Sequence, residues 1–112
     1  MAEIIICEPL KEEIKQKFKK ESIKIFTLML SLEDNPHKGN VIGAVNDIII
    51  KEIRYNKFRF YFITDGYMLK VLRISDLKDL LIKFVRMSEK KDQQETIDEI
   101  KNVLRNMGSE GF

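Results

Sequence analysis

The sequence predicts an α+β protein: an N-terminal strand and helical hairpin, an antiparallel β-sheet and a C-terminal helix. Three observations carry this. Apolar residues recur at helical spacing from Leu10 to Leu32. The stretch KEIRYNKFRFYFITDG, residues 51–66, alternates with period two. Ile97, Ile100, Val103, Leu104 and Met107 then form a second helical stripe. With 112 residues, 44% apolar and 34% charged, the chain has the length and composition of one folded domain spanning 1–112.

Residues 3–7, EIIIC, are short, apolar and β-branched and stop at Pro9, which makes a first strand. Pro9 suits the first helical position, and Glu12 and Glu13 suit the first turn of a helix whose stripe is Leu10, Ile14 and Phe18. Ile23, Phe26, Met29, Leu30 and Leu32 continue the spacing. KKES at 19–22 offers a break with Ser22 as N-cap, so one bent helix or two antiparallel helices both fit. HKGNVIG after Pro36 reads as a loop.

NDIIIKEIR and FRFYFI flank a tight turn at Asn56 and Lys57, which opposes Arg54 to Arg59 and Glu52 to Tyr61. Asp65-Gly66 reads as a second hairpin turn, opposing Tyr61 to Lys70 and Phe60 to Val71. This pairing gathers Glu52, Arg54, Arg59, Tyr61 and Lys70 on one face. Ile49, Ile53, Phe58, Phe60, Phe62, Leu69 and Val71 lie on the other, where the hairpin helices and the terminal helix should both pack. Residues 76–88 are ambiguous between helix and strand; the favoured reading is a turn or short helix and then a strand over Leu80–Met87. Asp92 with Glu95 resembles a capping box before the terminal helix, and Gly108 suits its C-terminal cap.

The single Cys7 excludes an intrachain disulfide and a thiolate zinc cluster, and is expected at the edge of the core. The only histidine, His37, stands in a DNPHKG loop and reads as solvated rather than catalytic. No metal-ligand spacing, Gly-rich nucleotide loop or serine triad is present, so neither cofactor nor metal is expected. Net charge is +2, so nucleic-acid binding would have to come from clustered cations. No apolar run reaches membrane-span length, and MAEIIICEP has no signal-peptide pattern, which predicts a soluble, cytoplasmic protein without a membrane partner.

Two opposed arginines on neighbouring strands repel unless an anion lies between them. Glu52 supplies one on the bland reading, a solvated charged face. An RNA phosphate supplies one on the functional reading, with the ring of Tyr61 or Tyr55 stacking on a base.

In element order and in the motifs SLEDNPHKG and KEIRYNKFRFYFI, followed by KKDQQETIDEIKNVL, the chain resembles the RelE/ParE toxin superfamily from about Ile4 to Met107, including its HigB-like members. The resemblance implies the toxin of a type II toxin–antitoxin pair, neutralised by an antitoxin protein and acting as a ribosome-dependent, metal-independent endonuclease on messenger RNA. Arg54 and Arg59 match its basic site residues, and Lys90 and Lys91 match the basic pair before its terminal helix. The catalytic candidates are Arg54, Arg59, Tyr61 and Lys90, and the RNA-binding candidates are Lys70, Lys91 and Tyr55. Cleavage requires attack of the 2′-hydroxyl on the adjacent phosphate, cations to stabilise the phosphorane, and acid–base groups; Glu52 is a candidate base. The best-known RelE enzymes carry lysines where this chain has Ile50 and Glu52. The alternative is a non-catalytic member of the fold that binds a protein or nucleic acid, including the gyrase-directed ParE branch.

Overall fold

The chain begins with β1 (Glu3–Ile6) and passes through Cys7 into α1 (Glu8–Phe18), with Pro9 in its first turn. A computed structural model describes residues 1–112, Ile74 by its backbone alone. Lys19 takes φ 53°, which breaks the helical path, and a 3-10 turn over Lys19–Glu21 leads into α2 (Ser22–Leu30). The helical hairpin is therefore two helices. Ser22 is not their N-cap: Glu21 holds that place, while the Ser22 hydroxyl donates to the Lys19 carbonyl at 2.6 Å.

The segment read as loop is largely a strand, β2 (Asn40–Val45). Asn46, at φ 53°, opens a two-residue turn with Asp47 into β3 (Ile48–Tyr55), and Val45 pairs with Ile48. The glycines that suggested a loop have local roles instead. Gly39 turns the chain at φ +100°, and a Cβ there would meet the Glu52 carbonyl oxygen at 2.8 Å. Gly43 follows a bulge and lies under the Lys101 side chain. The turn at Asn56 and Lys57 forms as expected, and β3 pairs with β4 (Phe58–Asp65) in the expected register, Arg54 with Arg59 and Glu52 with Tyr61.

The second hairpin does not form. The Asp65 carboxylate instead accepts from the amides of Tyr67 (2.9 Å) and Met68 (3.1 Å), capping a short helix, α3 (Gly66–Val71). Side-chain capping thus wins over the type I′ turn, and Lys70 and Val71 leave the sheet. After a 3-10 segment, Ile74–Asp79, β5 (Leu81–Glu89) takes the place next to β4, pairing Tyr61 with Arg86 and Phe60 with Met87. Val85 is the extra residue of a bulge between the Tyr61 and Phe62 pairings. A turn over Lys90–Asp92 opens α4 (Gln93–Met107), and Gly108 ends it at φ 65°. Asp92 makes no side-chain capping bond there, so the capping box is not formed.

The sheet order is β1-β5-β4-β3-β2. It is mixed rather than antiparallel, because β1 lies parallel to β5. β1 and β2 lie at opposite edges of the sheet, and the α1–α2 hairpin carries the chain from one edge to the other.

Helices cover both faces of the sheet, not one. Phe18 of α1 packs edge-on against Phe58 (centroids 4.9 Å apart) and Tyr55 (6.4 Å), so the hairpin covers the face carrying Phe58, Phe60 and Phe62. Helix α4 covers the opposite face: Gln93 bonds Glu52, Glu99 bonds Arg86, and Lys101 lies beside Gly43 and Ile50. Of the stripe its spacing predicts, Ile97, Ile100 and Leu104 of α4 are buried, Val103 is half-buried and Met107, in the last turn, is exposed. Ile14, Ile25, Met29 and Leu32 fill the hairpin side. Cys7 is a free thiol, 9% exposed, packed with this core as expected. The radius of gyration, 13.4 Å, matches the roughly 13 Å of one compact body of this length. Among the described residues no helix is long and apolar enough to cross a membrane.

Candidate nucleic-acid interface at the hairpin end of the sheet

The β3–β4 register sets Arg54 and Arg59 side by side at the turn end of the sheet, and both reach one carboxylate. Arg54 Nη2 donates to Glu52 Oε1 at 3.2 Å, and Arg59 Nε stands 3.6 Å from Glu52 Oε2. Gln93 of α4 donates to the same Oε2 at 3.3 Å. The face expected to be solvated is largely closed by α4. The Glu52 side chain is 2% exposed and that of Arg59 8%, while Arg54 is 57% exposed. Arg59 Nε is buried without a hydrogen bond, so it meets Glu52 as a charge contact, while Nη1 donates to the Lys57 carbonyl at 3.5 Å.

Tyr61 is fully buried. Its hydroxyl lies 2.7 Å from Ser88 Oγ, and Ser88 donates its own proton to the Glu89 carbonyl at 3.0 Å, so the tyrosine is the donor of the pair. Burial, above all, pushes the phenol above its ordinary value; the Ser88 contact and the two arginines pull the other way, and Glu52 adds to the rise. Tyr55 sits on the opposite face. Its ring packs edge-on against Phe18, its hydroxyl donates to Glu21 at 3.2 Å, and burial followed by Glu21 raises its pKa. Neither ring lies beside the arginine pair as an open stacking platform.

Lys90 and Lys91 leave the sheet directly after the Arg59–Ser88 and Phe58–Glu89 pairings, so they stand exposed at the same end as the arginines. Two cations that sequence reading did not single out join them. Lys57 in the turn bonds Glu89 at 3.1 Å and lies 5.5 Å from the Phe58 ring centre; Lys17 of α1 lies 5.2 Å from that centre. Lys91 approaches Glu89 at 3.8 Å. The hydrogen bond and charge of Lys57, then the charges of Lys91 and Lys17, hold the Glu89 carboxyl below its ordinary value. Lys57 was legible as a turn residue beside Arg59. Lys17 was not, since only the packing of Phe18 on Phe58 brings it there.

Lys70 does not join this group. It lies exposed on α3, beyond the far end of β4, about 20 Å from Arg59 along the strand. His37 is exposed, and its backbone carbonyl accepts from the buried ammonium of Lys51 at 3.0 Å. The hairpin end thus presents Lys17, Arg54, Lys57, Lys90 and Lys91 around the recessed Arg59, with Glu52 and Glu89 held among them. Such a surface can bind a phosphate backbone through Arg54 and the lysines, and can offer the Arg59 guanidinium to an anion that displaces Glu52. No family model, curated protein or solved structure matches the chain.

Proposed function

We propose that the protein is a RelE-like toxin of a toxin–antitoxin pair, and that the hairpin end of its sheet engages messenger RNA on the ribosome and cleaves it. The observation that carries this reading is the opposition of Arg54 to Arg59 on one face, with Lys90 and Lys91 at the same end. In the cleavage step the RNA 2′-hydroxyl gives its proton to the Glu52 carboxylate, the candidate base beside the arginines, and attacks the neighbouring phosphorus to form a 2′,3′-cyclic phosphate as the 5′-oxygen leaves. Arg54 meets the phosphate first because it is exposed. Arg59 follows as phosphate oxygens replace the Glu52 carboxylate, and both charges count most as the phosphorane forms. Lys90 is the candidate proton donor to the leaving oxygen. Tyr61, neutral and bonded to Ser88, holds the β4–β5 pairing beneath the arginines. An antitoxin segment matching this surface is acidic.

One observation favours the alternative, a binding-only member of the fold: Glu52 already engages both arginines, and α4 leaves Arg59 only 8% exposed. Expression without an antitoxin separates the two. Cleavage predicts growth arrest with translated messages cut, and a loss of about 10²–10³-fold in cutting by purified ribosome complexes for Arg54→Ala, with the circular-dichroism spectrum unchanged. Intact messages alongside normal growth would leave binding as the function. Undiminished cutting by Arg54→Ala would remove the arginine pair from the site.

A further inference from the structure

At the end of the molecule opposite the arginines lies a cavity of about 450 Å³, within the usual range of small-ligand sites. Its floor is apolar: Ile48 and Ile63 from the sheet, Met68 from α3 and Leu81 at the start of β5. Its rim is acidic, with Asp47, Asp65, Asp79 and Glu110, all exposed. Among the described residues, none of these four carboxylates has an ion-pair partner. Glu52 and Glu89 at the other end are both paired. The one cation in the lining, Lys83, gives its ammonium to the backbone carbonyl of Phe112.

The walls are held in place by bonds of their own. Gly66 N–H donates to the Asp47 carbonyl (2.7 Å), Thr64 donates to the Leu81 carbonyl (2.8 Å), and Asp65 uses Oδ1 to cap α3. The shape is therefore present before any ligand arrives. Among the described residues no three carboxylates lie close enough together to share a metal ion. Negative charge spread around an apolar floor is matched by positive charge spread along an apolar stem. A compact divalent ion meets neither requirement, because it needs converging oxygens and gains nothing from the floor.

We propose that this cavity binds a linear aliphatic polyamine, with its methylenes along Ile48, Ile63 and Leu81 and its ammonium groups against Asp47, Asp79 and Glu110. The site is independent of the RNA-facing end. The test is titration of the full chain with spermidine, followed by calorimetry and by amide chemical shifts. The expected result is saturable one-to-one binding with shifts confined to the cavity walls, unaffected by Mg²⁺ at matched ionic strength. Asp47→Asn/Asp79→Asn should weaken it by about tenfold or more. Leu81→Ser, which changes no charge, should weaken it severalfold, and Glu12→Gln/Glu13→Gln on α1 should leave it unchanged. The proposal is overturned by non-saturable binding, by equal displacement with Mg²⁺, by equal affinity for uncharged 1,8-octanediol, or by either cavity variant binding like the parent while retaining its dispersed spectrum.

Discussion

Glu52 has the most consequential environment of any single residue in the chain. It is a buried carboxylate facing two guanidiniums and the Gln93 amide, one of which, Arg59, is itself buried. Replacing it with Gln leaves the Arg59 charge buried without a counter-ion, so Glu52→Gln should cost about 3 kcal/mol of stability, seen as a lower urea midpoint with an unchanged slope. The same change unblocks the arginines for phosphate, and RNA affinity should rise even as stability falls. Tyr61 gives a pH-dependent prediction. Its pKa is raised by burial above the ordinary 10.0, so the folded state keeps a proton that the unfolded state loses first. Its contribution is thus complete below pH 10.0 and is lost as pH rises through the folded value. Tyr61→Phe should lower stability by about 1 kcal/mol at neutral pH, through loss of the Ser88 bond, and should flatten the alkaline decline in a melting-temperature profile.

Among the elements, α3 decides the topology. Asp65-Gly66 carries a strong hairpin signal, yet the Asp65 carboxylate binds two amides of the following turn, and a Cβ at Gly66 would meet Ile49 Cγ2 at 2.7 Å. The turn therefore becomes a helix start, and the neighbour of β4 comes from residues 81–89 instead. Asp65→Ala should cost about 1 kcal/mol, with amide hydrogen exchange rising at Tyr67 and Met68 before it rises in β4. Equal acceleration across β4 would mean that the cap supports the strand pairing rather than the helix alone.

For the whole molecule, the layout of charge matters more than its sum. A net charge of +2 conceals a basic end around Arg54, Lys57, Lys90 and Lys91 and an acidic cavity at the other end of the strands. On the proposed function, RNA should therefore dock at one end only. Lys90→Ala/Lys91→Ala should weaken RNA binding and reduce its salt dependence by about two in log–log slope, whereas Lys70→Ala should change neither. Equal effects of both changes in a filter-binding series would point to diffuse attraction over the whole surface.

Local chemistry alone determined much of the fold. The β3–β4 register was legible because a two-residue turn and a period-two pattern leave few alternatives, and that register places Arg54 beside Arg59. The boundaries near Pro9 and Gly108 followed from residues whose backbone preferences are strong and short-range. Two features were decided only by the tertiary structure. The parallel placement of β1 beside β5 and the closure of the arginine face by α4 both depend on which distant surfaces bury one another, whereas Lys70 left the sheet through the local Asp65 cap, one of two outcomes open to the same short stretch. An amphipathic helix carries an apolar stripe whichever face of a sheet it covers, so the pattern of α4 could not reveal that Glu52, Arg59 and Tyr61 lie beneath it.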